Sequence, residues 1–335
     1  MLQPTESYYN FPAERSARSR TWGSERELQT KGTGGKRMDG QKDRTRSATL
    51  AALGTCVIYG FSFMFSRIAL EHAPAAVMLA IRFMTAMFVM FLLLAFRIFT
   101  IDLKGKPVGR FLLMGLCQPV IYFISETSGI QYTSSSFSGI MIATIPVATA
   151  VLSAIFLKEK MPLSTFGWII CSVIGAFVIS ATQTSSGNIQ LKGVLFLLTA
   201  VLSAAVFYIL SRSTANVFTP FERTFIMMLL GCVYFTVQAA VQYKGDFIPL
   251  LRSGFTDWHL MLPILYLSVL SSVVAFLLQN YSVTYLELAK ITVFENIIPV
   301  ISVAAGVLFL HEPFSAVQLA GMALILLGVY KVTTA

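Results

Sequence analysis

Two carboxylates, Glu126 and Glu295, stand inside long apolar stretches of this sequence, and they are the residues best placed to do chemistry. A charge in hydrocarbon costs at least ~2.5 kcal/mol on insertion scales, so an acid kept there faces a cavity or a partner. Counting by three and four residues sets Gln118, Tyr122, Glu126 and Gly129 on one helical face, a polar stripe on an otherwise apolar segment. Thr292, Glu295, Pro299 and Ser302 share a second face, with Asn296 beside it. A carboxyl group at either place could bind and release a proton or recognise a substrate amine. The competing reading is a structural ion pair, with Arg67 and Arg82 as the candidate charge partners of Glu126.

Four further residues are expected to shape the helices around these acids. Pro146 and Pro299 fall in mid-segment, where proline removes a backbone hydrogen bond, so each is expected to kink its helix as a hinge or a fixed bend. Glu159 and Glu312 follow the fourth and ninth apolar segments and are expected to cap helix N-termini. Tyr59, Tyr122, Tyr208 and Phe294 are aromatic candidates for a pocket wall, and Ser268, Ser271 and Ser272 read as close-packing positions.

Other chemistry finds no support. His72, His259 and His311 are far apart, no HExxH occurs, and no serine, histidine and acid set has a usable spacing, so no metal, no cofactor and no enzymatic activity are expected. Lys31-Gly-Thr-Gly-Gly-Lys36 lacks the spacing of a phosphate loop. The four cysteines all fall in apolar segments, where a small thiol is ordinary.

The elements that must position the acids follow from composition. The 335 residues are 56% hydrophobic and only 12% charged, against about 25% charged in soluble domains, and mean hydropathy is +0.72. The first 47 residues hold ten of the 25 basic side chains and six of the 16 acidic ones. That distribution excludes a soluble enzyme and a nucleic-acid-binding surface and implies an integral membrane protein. A bilayer core of ~30 Å takes about 20 apolar residues per helix. Ten such segments follow, at 48–70, 75–96, 111–129, 137–156, 163–181, 193–209, 224–243, 260–281, 291–310 and 316–330. Basic residues favour the cytoplasmic side. The tail, Arg97, Lys104, Lys106, Arg110, Lys158, Lys160, Arg212, Arg223, Lys290 and Lys331 therefore put both termini inside. Residues 1–47 are expected to be a disordered basic tail, and Met38 is an alternative start, since Thr33-Gly34-Gly35 can be encoded by a purine-rich ribosome-binding sequence.

The segments repeat. An offset of 153 residues aligns Tyr132 with Tyr285, Pro146-Val147 with Pro299-Val300, Glu159 with Glu312 and Gly175 with Gly328. It also lays Glu126-Thr127 over Gln279-Asn280. Two halves, 48–182 and 190–333, thus carry five segments each, and an odd number makes the second enter the membrane in the opposite sense. Inverted halves place a site near midplane and let it face either side.

Each half also ends in a pattern that resembles the EamA family of the drug/metabolite transporter superfamily. In the first half it is Tyr132-Thr-Ser, Ile145-Pro-Val and Phe156-Leu-Lys-Glu159, then Gly167 and Gly175; in the second it is Ile298-Pro-Val and Leu308-Phe-Leu-His-Glu312-Pro313, then Gly321 and Gly328. The resemblance implies an all-α membrane protein of ten helices, in two inverted five-helix repeats around a central cavity, that exports small metabolites. On this reading the chain is a secondary active transporter in the plasma membrane, carrying a small polar solute such as an amino acid by alternating access with proton coupling. Its partners are the solute, the proton and the bilayer, with no nucleic acid, and it works as a monomer or homodimer. Glu126, Glu295, Asn296, Tyr122 and Gln118 are the expected binding residues. An exchanger of phosphorylated or nucleotide-linked solutes would want several central basic residues, and a passive channel would show a continuous polar pore.

Overall fold

The computed structural model describes residues 23–106, 108–156, 163–185, 190–214, 217–286, 291 and 294–334. Residues up to Arg44 form one unit and those from Thr45 onward another. Of the first, residues 23–44 are helical and belong to α1 (Gly23–His72).

The second unit is helical, with no strand among the described residues. Six of its segments are long and apolar enough to cross a membrane: Arg44–His72, Ala75–Ala95, Ser135–Leu152, Leu191–Ser211, Pro220–Thr256 and Trp258–Tyr285. Gly167–Ala176, Ile297–Leu310 and Ala316–Lys331 are shorter apolar helices. The helices after α1 are α2 (Ala75–Ala95), α3 (Val108–Gly115), α4 (Tyr122–Gln131), α5 (Ser135–Ile142), α6 (Ile145–Phe156), α7 (Leu163–Ser185) and α8 (Leu191–Thr214). Then come α9 (Pro220–Tyr243), α10 (Phe247–Thr256), α11 (Trp258–Leu265), α12 (Ala275–Tyr285), α13 (Ile297–Leu310) and α14 (Ala316–Thr334). Neighbours in the bundle include α2 with α9, α4 with α8, α5 with α13, and α7 with α14.

Three apolar segments are interrupted, and the interruptions shape the interior. Between α3 and α4 the π-helical stretch Leu116–Ile121 contains Gln118 in an extended conformation (φ −141°, ψ 115°). Gln118 precedes Pro119, and the proline ring disfavours the helical region for the residue before it. The carbonyl of Cys117 is met by the hydroxyl of Ser203 on α8 at 2.7 Å. Pro146 and Pro299 both stand where their apolar segments are interrupted. Each lies in the first turn of a new helix, α6 or α13, after the chain has broken at Ala143-Thr144 or at Asn296. In a first turn the missing N–H has no helical partner to lose.

Close packing relies on small residues. A methyl group on Gly175 of α7 would come within 2.7 Å of the Gly321 carbonyl oxygen on α14, and one on Gly328 within 2.8 Å of the Trp168 carbonyl oxygen. Phe83 stacks on Phe235 and meets Phe123 edge-on at the centre of the main core. Gly231 leaves room for that ring.

Two buried ends are held by charge. Glu222 caps α9 reciprocally with Thr219 and receives the Lys106 ammonium at 2.7 Å and the Asp102 amide at 3.1 Å. Glu312, beyond α13, accepts the amides of Ser135 and Ser136 at 2.7 and 2.9 Å and the Ser136 hydroxyl, so it caps α5. Glu159 and Lys290 lie outside the described residues, as does Thr292. Arg223, counted above among the loop cations, is fully buried and donates to the Asn280 carbonyl and Thr284 hydroxyl of α12.

Candidate functional site

Where the interrupted segments meet α1, α2, α8 and α12, the bundle leaves a cavity. Its wall includes Tyr59 of α1, Arg82 of α2, Gln118 of the third segment, Tyr122 and Glu126 of α4, Pro146 of α6, Tyr208 of α8, Gln279 of α12 and Glu295. The cavity is about 60 Å³, well under the ~300 Å³ at the lower end of ligand pockets. In this conformation it accommodates a few water molecules or a very small solute.

Gln118, Tyr122 and Glu126 reach it together because the extended Gln118 backbone and one helical turn each separate them. Glu126 is buried and accepts from the Tyr122 hydroxyl at 3.0 Å, a contact within its own helix. Glu295 enters from the opposite half of the sequence and accepts from the Tyr208 hydroxyl at 2.8 Å. Tyr208 in turn accepts from Gln279 Nε2 at 2.6 Å, and the Gln279 carbonyl oxygen accepts from Tyr59 at 3.0 Å. The chain Tyr59–Gln279–Tyr208–Glu295 therefore ties α1, α12 and α8 to the residue just before the α13 break. Among the described residues, Glu126 and Glu295 are each met by a single tyrosine hydroxyl.

Of the two candidate charge partners, Arg82 shares this wall and Arg67 does not. Arg67 Nη1 donates to the carbonyls of Ile130, Gln131 and Thr133, closing the C-terminal end of α4. Arginine is suited to that end by charge as well as geometry. Arg82 is fully buried, with Nε on Ser272 at 2.9 Å and Nη2 on Ser271 at 3.2 Å, and it lies 4.4 Å from the Phe123 ring centroid. It makes no ion pair within 4.0 Å of Glu126. Asn296 sits at the break itself, its Oδ1 buried without a hydrogen-bond partner among the described residues. Ser302, on the stripe drawn through Glu295, turns to the Ser135 carbonyl instead.

Sequence reasoning missed the serines that hold Arg82. Ser271 and Ser272 lie in a π-helical stretch, Tyr266–Val274, following Pro263 of α11. π-turns often mark functional positions, but small residues at helical spacing look like packing. Gln279 was reachable, since the 153-residue offset places it under Glu126. Among the described residues no group of three or more metal-ligating side chains occurs.

A family model described as "EamA-like transporter family" matches residues 46–181 and again 191–334. The chain is 32% identical over 297 residues to the "Uncharacterized transporter YcxC" of Bacillus subtilis (strain 168), covering 86% of this chain and 93% of that protein. An "Uncharacterized transporter" of Archaeoglobus fulgidus is 28% identical, with 83% and 95% covered. The "Probable amino-acid metabolite efflux pump" of Salmonella typhimurium is 22% identical, with 85% and 94% covered. One solved crystal structure superposes with a TM-score of 0.60 at 16% identity, covering 85% of this chain and 95% of its own, a likeness of fold.

Proposed function

The chain belongs to the EamA-like transporter family, and from that premise we propose that it exports a small polar metabolite, an amino acid or a related compound, by alternating access coupled to protons. It is a multi-pass membrane protein and a transporter, not an enzyme. The fuller reading has ten membrane crossings in two inverted halves, with both termini at the cytoplasmic face of the plasma membrane. Six long and three shorter apolar helices support it, as do the 153-residue repeat and the basic residues of alternate loops.

The observation that carries the proposal is the cavity with one carboxyl group from each half. Glu126 comes from the first matched segment and Glu295 from the second, and both line the same space. A cavity built between two halves changes its exposure when they rock against each other. Each carboxyl group, met by one tyrosine, retains capacity to take a proton or a cationic substrate group. Among the described residues Arg82 is the one cation on the wall, which favours this over the exchange of multiply charged phosphate compounds. The amino-acid assignment draws on the name of the Salmonella relative.

The test is metabolite profiling of cells and medium from overexpressing and deletion strains. Overexpression should raise the extracellular level of at least one small polar metabolite and deletion should raise its intracellular level. A medium unchanged in every metabolite would contradict export.

A further inference from the structure

We propose that Arg82 is the anion receptor of the central cavity, so that the transported solute carries a carboxylate group and an apolar body. This deepens the transport reading above and rests on it.

The arginine is built to be fixed and only partly used. Two of its three nitrogens are taken by the hydroxyls of Ser272 and Ser271, and Ser62 braces Ser271 at 2.9 Å. The Phe123 ring lies 4.4 Å away, and Phe83 flanks it at 5.9 Å. The third nitrogen makes no hydrogen bond among the described residues, while the side chain lines the cavity. Serine hydroxyls are neutral, and among the described residues no carboxylate lies within 4.0 Å of the guanidinium, the Glu126 carboxyl group sharing the wall without touching it. A guanidinium in a low-dielectric interior with no carboxylate in contact is poorly compensated, and an incoming carboxylate supplies a direct, charge-assisted partner at the free nitrogen. The serines act here as positioning residues, because they hold two nitrogens and leave one edge presented.

The rest of the wall selects the remainder of the solute. Ile142, Ile145, Phe276 and Ile298 supply apolar surface. A carboxylate beside Glu126 and Glu295 is tolerable when those groups are neutral or face a substrate ammonium. A zwitterion thus fits as well as a plain carboxylate, and a cationic amide does not satisfy Arg82.

Three probes of one shape separate the possibilities: L-leucine, 4-methylpentanoate and L-leucinamide, with binding to the purified full chain measured by equilibrium dialysis. Leucine and 4-methylpentanoate should bind at least about tenfold tighter than leucinamide, the scale of one hydrogen bond to a charged group. Arg82→Gln should erase that preference, and Arg82→Lys should retain part of it. Leucinamide binding as tightly as the carboxylates, or no binding by either carboxylate, would overturn the assignment. So would an unchanged preference in Arg82→Gln. The wild-type series decides the matter even if the variants fail to fold. The same probes in proteoliposomes keep the two readings apart. Carboxylates bound but never moved would sink transport and leave the Arg82 assignment standing. Movement without preference for the carboxylate would sink the assignment and leave transport standing.

Discussion

Four acids with little exposure divide into two kinds, and the division lies in how many donors each one receives. At the helix ends, Glu222 takes two contacts from Lys106 and one each from the Thr219 and Asp102 amides, and Glu312 takes two amides and a hydroxyl. In the cavity, Glu126 and Glu295 each take one tyrosine hydroxyl among the described residues. A carboxylate whose oxygens are taken by several donors is committed to holding the backbone. A carboxyl group with one neutral donor keeps its second oxygen available for exchange. Depth in the sequence does not distinguish them, since Glu222 is as buried as Glu126.

The comparison can be broken first at Glu312. Glu312→Ala strands three donors, and at about 1–3 kcal/mol for each buried group left unpaired the loss should be about 3 kcal/mol or more. Thermal unfolding in detergent measures it, and a loss below about 1 kcal/mol would show that the clamp is not needed. Glu222→Ala should cost less, about 2 kcal/mol, because Lys106 regains water at its partly exposed end. Denaturant titration of the same preparation checks that order. Gly175→Ala probes packing with no charge involved. Its methyl group would sit 2.7 Å from the Gly321 carbonyl oxygen, and such overpacking should destabilise by about 1–2 kcal/mol. Glu126→Gln and Glu295→Gln should shift stability least, by under about 1 kcal/mol, since glutamine keeps an acceptor for the tyrosine. A larger loss in either would move that residue into the structural class.

The sequence made the apolar segments and both cavity acids plain, because hydrophobic runs of bilayer length and a charge within them are local signals. The breaks were less legible. Pro119 governs the Gln118 backbone, but its effect falls on the preceding residue and only matters once α8 supplies Ser203 to the freed carbonyl. Pro146 and Pro299 stood out in the sequence, but an apolar run hides where one helical stretch stops and the next starts. The partners of Arg67, Arg82 and Arg223 were hidden for another reason. Each arginine reaches across helices to carbonyls or hydroxyls, and no spacing along the chain encodes such a contact. Glu312 was legible as a helix cap, yet the helix it caps is α5, on the other half of the sequence.

The most direct test of the division between cavity and clamp acids is solute-driven proton movement in proteoliposomes, read with an internal pH dye. Wild-type protein and Glu312→Gln, once shown to be folded, should both move protons when solute is added. Glu126→Gln and Glu295→Gln should stay folded and lose that movement along with the pH dependence of transport. Full, still pH-dependent transport in both cavity variants would contradict the account.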